Sequence, residues 1–186
     1  MVTAIQAIDE IESRGCGFLR DGHPVILFER HIMYRRLQAT GHDVAALAVR
    51  YPDIVNPQPG GYIGGMAEHR RLNLAKKLDA TCAIASTSWG RFQIMGWHWR
   101  RLGYSSAAAF ADAMAESEAY QLNAFILFIK SDPVLYQALK TQNWVAFARG
   151  YNGLAYKKNQ YDLKLENAYK KYTQDNLAIK TASVNR

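Results

Sequence analysis

The chain has 186 residues, 49% of them hydrophobic, which suits one domain with a real core and excludes a disordered polymer. Lys and Arg number 23 against 16 acids, giving +7 and a pI near 9.4, so the expected partner is polyanionic: nucleic acid, an anionic membrane face or an acidic wall polymer. Cys16 and Cys82 are too few for a disulfide framework, and His23, His31, His42, His69 and His98 have no metal-binding spacing, so free thiols and no metal or cofactor are expected.

In chain order, Met1 to Glu10 lacks the basic region and apolar run of a secretory signal, which predicts a protein made to stay, at first, in the cytoplasm. Ile5, Ile8 and Ile11 predict a helix ending near Gly15 and Gly17. After a turn at Asp21-Gly22 and Pro24, Val25 to Phe28 reads either as a short buried strand or as the entry to a helix through Leu37. Asp43 is a candidate N-cap for Val44 to Tyr51, and the Pro/Gly-rich stretch from Asn56 to Gly65 is expected to be the loosest loop and a rim of a cleft. A helix from Met66 to Leu78 carries Arg70, Arg71, Lys76 and Lys77, read as a solvated face. Ser106 and Ser117 cap two further helices, the second burying Leu122, Phe125, Ile126 and Ile129; its apolar run from Ala124 to Ile129 is too short to span a bilayer. Asp132-Pro133 starts a helix to Leu139, Asn143 starts one stopped by Gly150, and a last helix runs from Tyr156 to Tyr172. No alternating strand pattern of any length appears, so the class is mainly α with at most a small β element.

Chemistry concentrates at three places. In Val25-Ile26-Leu27-Phe28-Glu29-Arg30-His31, four apolar residues deliver one carboxylate; desolvation raises a carboxyl's pKa and lets it donate a proton near neutrality. The plain alternative is an ion pair of Glu29 with Arg30, His31 or Arg35. Ser86 to Met95 offers small hydroxyls, a glycine, the stacking face of Trp89 and the amide of Gln93, a set that suits a sugar. Ala148 to Gly153 presents Tyr151 and Asn152 where a helix ends.

The order of Glu29, Ser88-Trp89-Gly90-Arg91-Phe92-Gln93-Ile94-Met95 and Tyr151-Asn152-Gly153 resembles the lysozyme-like superfamily, as in goose-type lysozymes and lytic transglycosylases. More closely, Glu12-Ser13-Arg14-Gly15-Cys16-Gly17-Phe18 followed by Ile26-Leu27-Phe28-Glu29-Arg30-His31 is similar to the N-acetylmuramidase family of phage endolysins, a likeness running over residues 5–175. The resemblance implies an α+β lysozyme-like, bilobed, mainly helical catalytic domain over 1–186 with a cleft, and cleavage of peptidoglycan strands; members of the family are often joined to a separate wall-binding module, for which 186 residues are expected to leave no room. It gives Glu29 as the acid for the β-1,4 bond from N-acetylmuramic acid to N-acetylglucosamine, with Ser88, Gln93, Tyr151 and Asn152 positioning the sugar. Transglycosylases place serine after the catalytic glutamate, as in Glu12-Ser13 here, yet the apolar approach favours Glu29. Glu12, Asp43, Asp53 and Glu68 are candidates by type for a second carboxylate, and none is singled out.

A lytic transglycosylase and a non-catalytic basic binder remain the rival readings. The expected enzyme is a monomer without a nucleic-acid partner, made in the host cytoplasm and acting on periplasmic peptidoglycan. Between Lys157 and Arg186 seven bases face three acids, so a basic C-terminal helix over about 156–175 is a candidate for contact with an anionic envelope.

Overall fold

Ten α-helices and one three-stranded antiparallel sheet make up the computed structural model, which describes residues 2–12 and 15–184 without the side chains of Glu12, Asn152, Leu154, Ala155 and 178–184. The chain divides into two compact units, Gly15–Phe128 and Met1–Arg14 with Ile129–Arg186. The mainly helical class with a small β element is therefore as expected.

In the unit Gly15–Phe128, Pro24 cannot donate to a helix and Val25–Phe28 resolves as a strand that feeds a helix. Strand β1 (Ile26–Phe28) pairs with β2 (Thr87–Trp89), and β2 with β3 (Ile94–Met95). Opposite residues are Ile26 with Trp89, Leu27 with Ser88, Phe28 with Thr87, and Ser88 with Met95. Alternation sends Ile26, Phe28, Thr87, Trp89 and Ile94 to one buried face. Leu27, Ser88 and Met95 share the other, where Leu27 and Met95 stay partly exposed. Of the two readings open for Val25 to Phe28 the strand is the one found, whereas β2 and β3, three and two residues long, are too short to show a period.

Helices close over the buried face. α2 (Arg30–Ala39) leaves β1 directly, and α3 (Val44–Arg50) is capped by Asp43, whose Oδ1 accepts from the Ala46 amide at 3.1 Å. α4 (Met66–Lys76) lays the Arg71 guanidinium over the Phe28 ring, 5.1 Å from its centroid. α5 (Ala80–Ala85) accepts from Trp89 Nε1 through the Ile84 carbonyl, and α6 (Ala107–Glu116) sets Phe110 edge-on to Trp89 at 6.4 Å. Gly96, after β3, lies so close to α5 that a Cβ there would collide with the backbone of Ile84 and Ala85. α7 (Glu118–Lys130) buries Gln121, Ala124 and Phe125; Leu122 and Ile126, expected in the core, are only half-buried.

In the other unit, α1 (Val2–Glu12) buries Ala4, Ala7 and Ile8, and α10 (Tyr161–Val184) buries Leu165 and Ala168; the two pack along one another. Lys171 of α10 reaches Glu10 of α1 at 3.1 Å. α8 (Pro133–Lys140) begins as expected, with Asp132 accepting from the amides of Val134 and Leu135. α9 (Trp144–Asn152) does not stop at Gly150. That glycine sits inside the helix, where a Cβ would come 2.8 Å from Leu135 of α8, so it serves close helix packing; the turn comes at Gly153, with φ +69°. A 3₁₀ turn over Gly153–Lys157 and a left-handed Gln160, φ +52°, delay α10 to Tyr161 instead of Tyr156. Among the described residues no helix is long and apolar enough to cross a membrane.

Candidate active site

Glu29 occupies the single extended residue between β1 and α2, with φ −98° and ψ +91°. Its backbone is tied from both sides: the amide donates to Ser86 O at 2.9 Å, extending the β1–β2 ladder, and the carbonyl accepts from Ile32 and Met33 at 3.0 Å. The side chain is 17% exposed, so the approach through four apolar residues does leave it mostly enclosed. Its surroundings are polar, however. Tyr62 Oη donates to Oε2 at 2.7 Å, and His31 Nδ1 lies 3.2 Å from the same oxygen without hydrogen-bond alignment. Oε1 has no hydrogen-bond partner among the described residues. Burial first, and then the hydrogen bond to Glu29, hold the Tyr62 phenol above its ordinary pKa.

The loop that delivers Tyr62 is anchored on both flanks. Arg30 donates from Nε to Gln58 O at 3.0 Å and from Nη2 to Pro59 O at 3.3 Å, and its guanidinium lies against Gly61. Beyond Tyr62, Glu68 Oε1 accepts from the amides of Ile63 at 2.8 Å and Gly64 at 3.1 Å. Oε2 accepts from Phe28 N at 3.0 Å and Arg71 Nη1 at 2.8 Å, while Arg71 also donates to Phe28 O and Asp53 O. Burial alone would push the Glu68 carboxyl up; the amides of Ile63, Phe28 and Gly64 with the Arg71 charge outweigh it and hold the carboxyl below its ordinary value. Glu68 and Arg71 are 0% and 4% exposed. This corrects two expectations: Arg71 is no part of a solvated face, and Glu68, saturated with donors, is no free second carboxylate. Asp43 is engaged as a helix cap, and the Glu12 side chain lies outside the described residues.

Ser88 and Gln93 meet across the β2–β3 turn. Ser88 Oγ donates to Gln93 Oε1 at 2.8 Å, and Gln93 Nε2 donates to Gly90 O at 2.8 Å. Gln93 adopts φ +50°, a conformation costly for a non-glycine residue and stabilised here by these two bonds. Their polar groups thus hold the turn. Behind it, Gln121, 1% exposed, accepts from Arg91 N at 2.7 Å and donates to Met114 O at 2.8 Å; the sequence reading passed it over because nothing local marks a buried amide in an apolar helix. Ser88 shares the partly open sheet face with Leu27, and alternation carries Glu29, two residues on, to that same side. Tyr151, at the end of α9 in the other unit, stacks on Phe147 with centroids 5.8 Å apart; the neighbouring Asn152 side chain lies outside the described residues.

An N-acetylmuramidase family profile matches residues 1–173, nearly the whole chain. The chain belongs to the N-acetylmuramidase family. Among solved structures, the crystal structure of a Burkholderia AP3 phage endolysin is similar, with 52% sequence identity and a TM-score of 0.90. The likeness covers 94% of this chain and 66% of that one, so this muramidase-family chain spans just under two thirds of the endolysin's length. No curated protein matches. Among the described residues no cluster of three His, Cys, Asp or Glu side chains could hold a metal ion; Cys16 is an exposed free thiol and Cys82 a buried one.

Proposed function

We propose that the protein is a peptidoglycan hydrolase of phage-endolysin type, cutting the β-1,4 bond between N-acetylmuramic acid and N-acetylglucosamine. The observation that carries this reading is the Glu29 carboxyl. One oxygen is engaged by Tyr62, the other is left without a protein partner among the described residues, and both stand at a strand–helix junction in a muramidase-family chain. Glu29 gives its proton to the bridging oxygen, the C1–O bond breaks, and water adds at C1 while its proton returns to the enzyme. Ser88 and Gln93 act by fixing the turn on the same side of the sheet; for Tyr151 and Asn152 the family resemblance supports a part in holding the sugar. The protein is made in the host cytoplasm and reaches peptidoglycan after release, its surplus of positive charge aiding adsorption to anionic envelope surfaces.

The test is digestion of purified sacculi with the full chain, followed by mass spectrometry of the soluble products. Muropeptides with reducing N-acetylmuramic acid ends are expected. 1,6-Anhydro ends would make the protein a lytic transglycosylase, and salt-sensitive wall binding with no soluble product would make it a non-catalytic binder.

A further inference from the structure

Glu29 is an acid only if its proton sits where the glycosidic oxygen arrives, and a carboxyl has two oxygens that can carry it. The structure distinguishes them. Tyr62 Oη, a donor, is 2.7 Å from Oε2. An oxygen that accepts from a phenol is the poorer place for the proton, which leaves Oε1 as the proton-bearing atom.

The placement of Tyr62 is over-determined. Gly61 and Gly64 flank it with φ of +77° and +84°, a backbone path that side-chain-bearing residues rarely follow. Arg30 grips the segment before it at Gln58 and Pro59, and the buried Glu68 grips the amides of Ile63 and Gly64 after it. Glu68 also accepts from the Phe28 amide, so one carboxylate joins the loop to the residue that precedes the acid. A loop that only had to cover the surface would need no buried carboxylate, and Tyr62, the residue at its tip, is 47% exposed as a whole.

We infer that Tyr62 is a positioning residue for the acid: its hydroxyl fixes the Glu29 carboxyl, directs the proton to Oε1 and stabilises the carboxylate left after the proton has gone. Arg30 and the Glu68–Arg71 pair form the strut that carries it. The inference rests on Glu29 being the general acid and adds that the acid is set from a loop 33 residues away. His31 Nδ1, at 3.2 Å but not aligned, does not make the same bond.

Tyr62→Phe tests it in the full chain on purified sacculi, because phenylalanine keeps the ring, the loop and the fold while removing only the hydroxyl. A hydrogen bond to a charged group corresponds to about a tenfold to hundredfold fall in kcat, with KM changed little, because the bond matters most as charge develops. The alkaline limb of the pH–rate profile should move to higher pH, since the carboxylate form loses a donor. A readout without turnover is the Tyr62 phenol followed by NMR of Cζ-labelled tyrosine: Glu29→Gln should let it ionise at lower pH than in the parent chain. Normal kcat with an unmoved limb in Tyr62→Phe, beside an inactive Glu29→Gln, would overturn the role of Tyr62 and leave the acid in place. Active Glu29→Gln, or a parent chain that releases no fragments, would overturn the functional reading and this inference with it.

Discussion

The Glu68 carboxylate and the Arg71 guanidinium meet at 2.8 Å one helical turn apart, in a place where water reaches almost none of either. A pair so enclosed cannot lose one member cheaply, because the survivor is left charged and dry. Glu68→Ala is expected to cost roughly 3–5 kcal/mol, seen as a fall in the midpoint of thermal or urea unfolding. Replacing an exposed neighbour such as Arg70 by Ala should leave the midpoint within about 0.5 kcal/mol. A Glu68→Ala chain as stable as the parent would show that the loop is held by something else.

Glu29→Gln keeps volume and much of the hydrogen bonding but has no proton to give. Turnover should fall by roughly 10² to 10⁴-fold or more, while the unfolding midpoint and adsorption to sacculi persist. Glu12→Gln is the control for the Glu-Ser dipeptide. Near-normal lysis by folded Glu29→Gln, or loss of lysis in Glu12→Gln alone, would move the acid elsewhere.

Burial lowers the imidazoles of both His69 and His98, the larger effect falling on His98. Burial, then the charges of Arg101 and Arg36, push its imidazole down from 6.5 to about 4. Between those values the unfolded chain binds a proton that the folded one refuses, so the contribution is complete above about 6.5 and is lost as pH falls toward 4. Melting temperature should therefore decline over that window, by a stability loss of at most roughly 3 kcal/mol. His98→Phe, which keeps an aromatic ring against Phe128, should flatten the decline. Glu68, held below its ordinary 4.5, adds its loss only at more acid pH. An identical slope in His98→Phe would assign the decline to other groups.

Gly96→Ala places a methyl group against the Ile84 carbonyl and the Ala85 Cα, which are backbone and cannot rotate aside. Destabilisation at or above the upper end of the roughly 1–3 kcal/mol usual for overpacking is expected, measurable by urea unfolding. The same change at Gly22, where no atom stands within 4 Å but φ is +84°, tests backbone strain alone and should cost about 1 kcal/mol.

Lys158 and Lys164 are exposed, whereas Lys170 and Lys171 already face Glu166 and Glu10. Adsorption to anionic envelopes at low salt should drop more for Lys158→Glu with Lys164→Glu than for either single change, with cleavage of soluble fragments unchanged. Unaltered binding in a sedimentation assay would remove the tail from the account of adsorption.

What could be read from the sequence was local. Asp43, Ser106, Asp132 and Asn143 cap helices three residues or fewer away, so their chemistry and their partners lie in one short window. The enclosure of Glu29 was also local, since four apolar neighbours precede it. Its polar partner was not: nothing near Tyr62 tells of a carboxylate 33 residues earlier. Arg71 was misread for the same reason, as a basic residue among bases is ordinarily solvated and only the distant Phe28 and Asp53 carbonyls reveal otherwise. Gly150 was misread because a helix-stopping glycine and a close-packing glycine look alike until Leu135 is placed beside it.

The tie between the Glu29 amide and the Ser86 carbonyl has a consequence for synthesis. The ribosome delivers the glutamate long before the strand that fixes it, and the tyrosine and buried carboxylate that set it arrive in between. A nascent chain that has not yet passed residue 86 carries the acid without its frame. Nearly half of the 186 residues must therefore be made before that carboxyl is set.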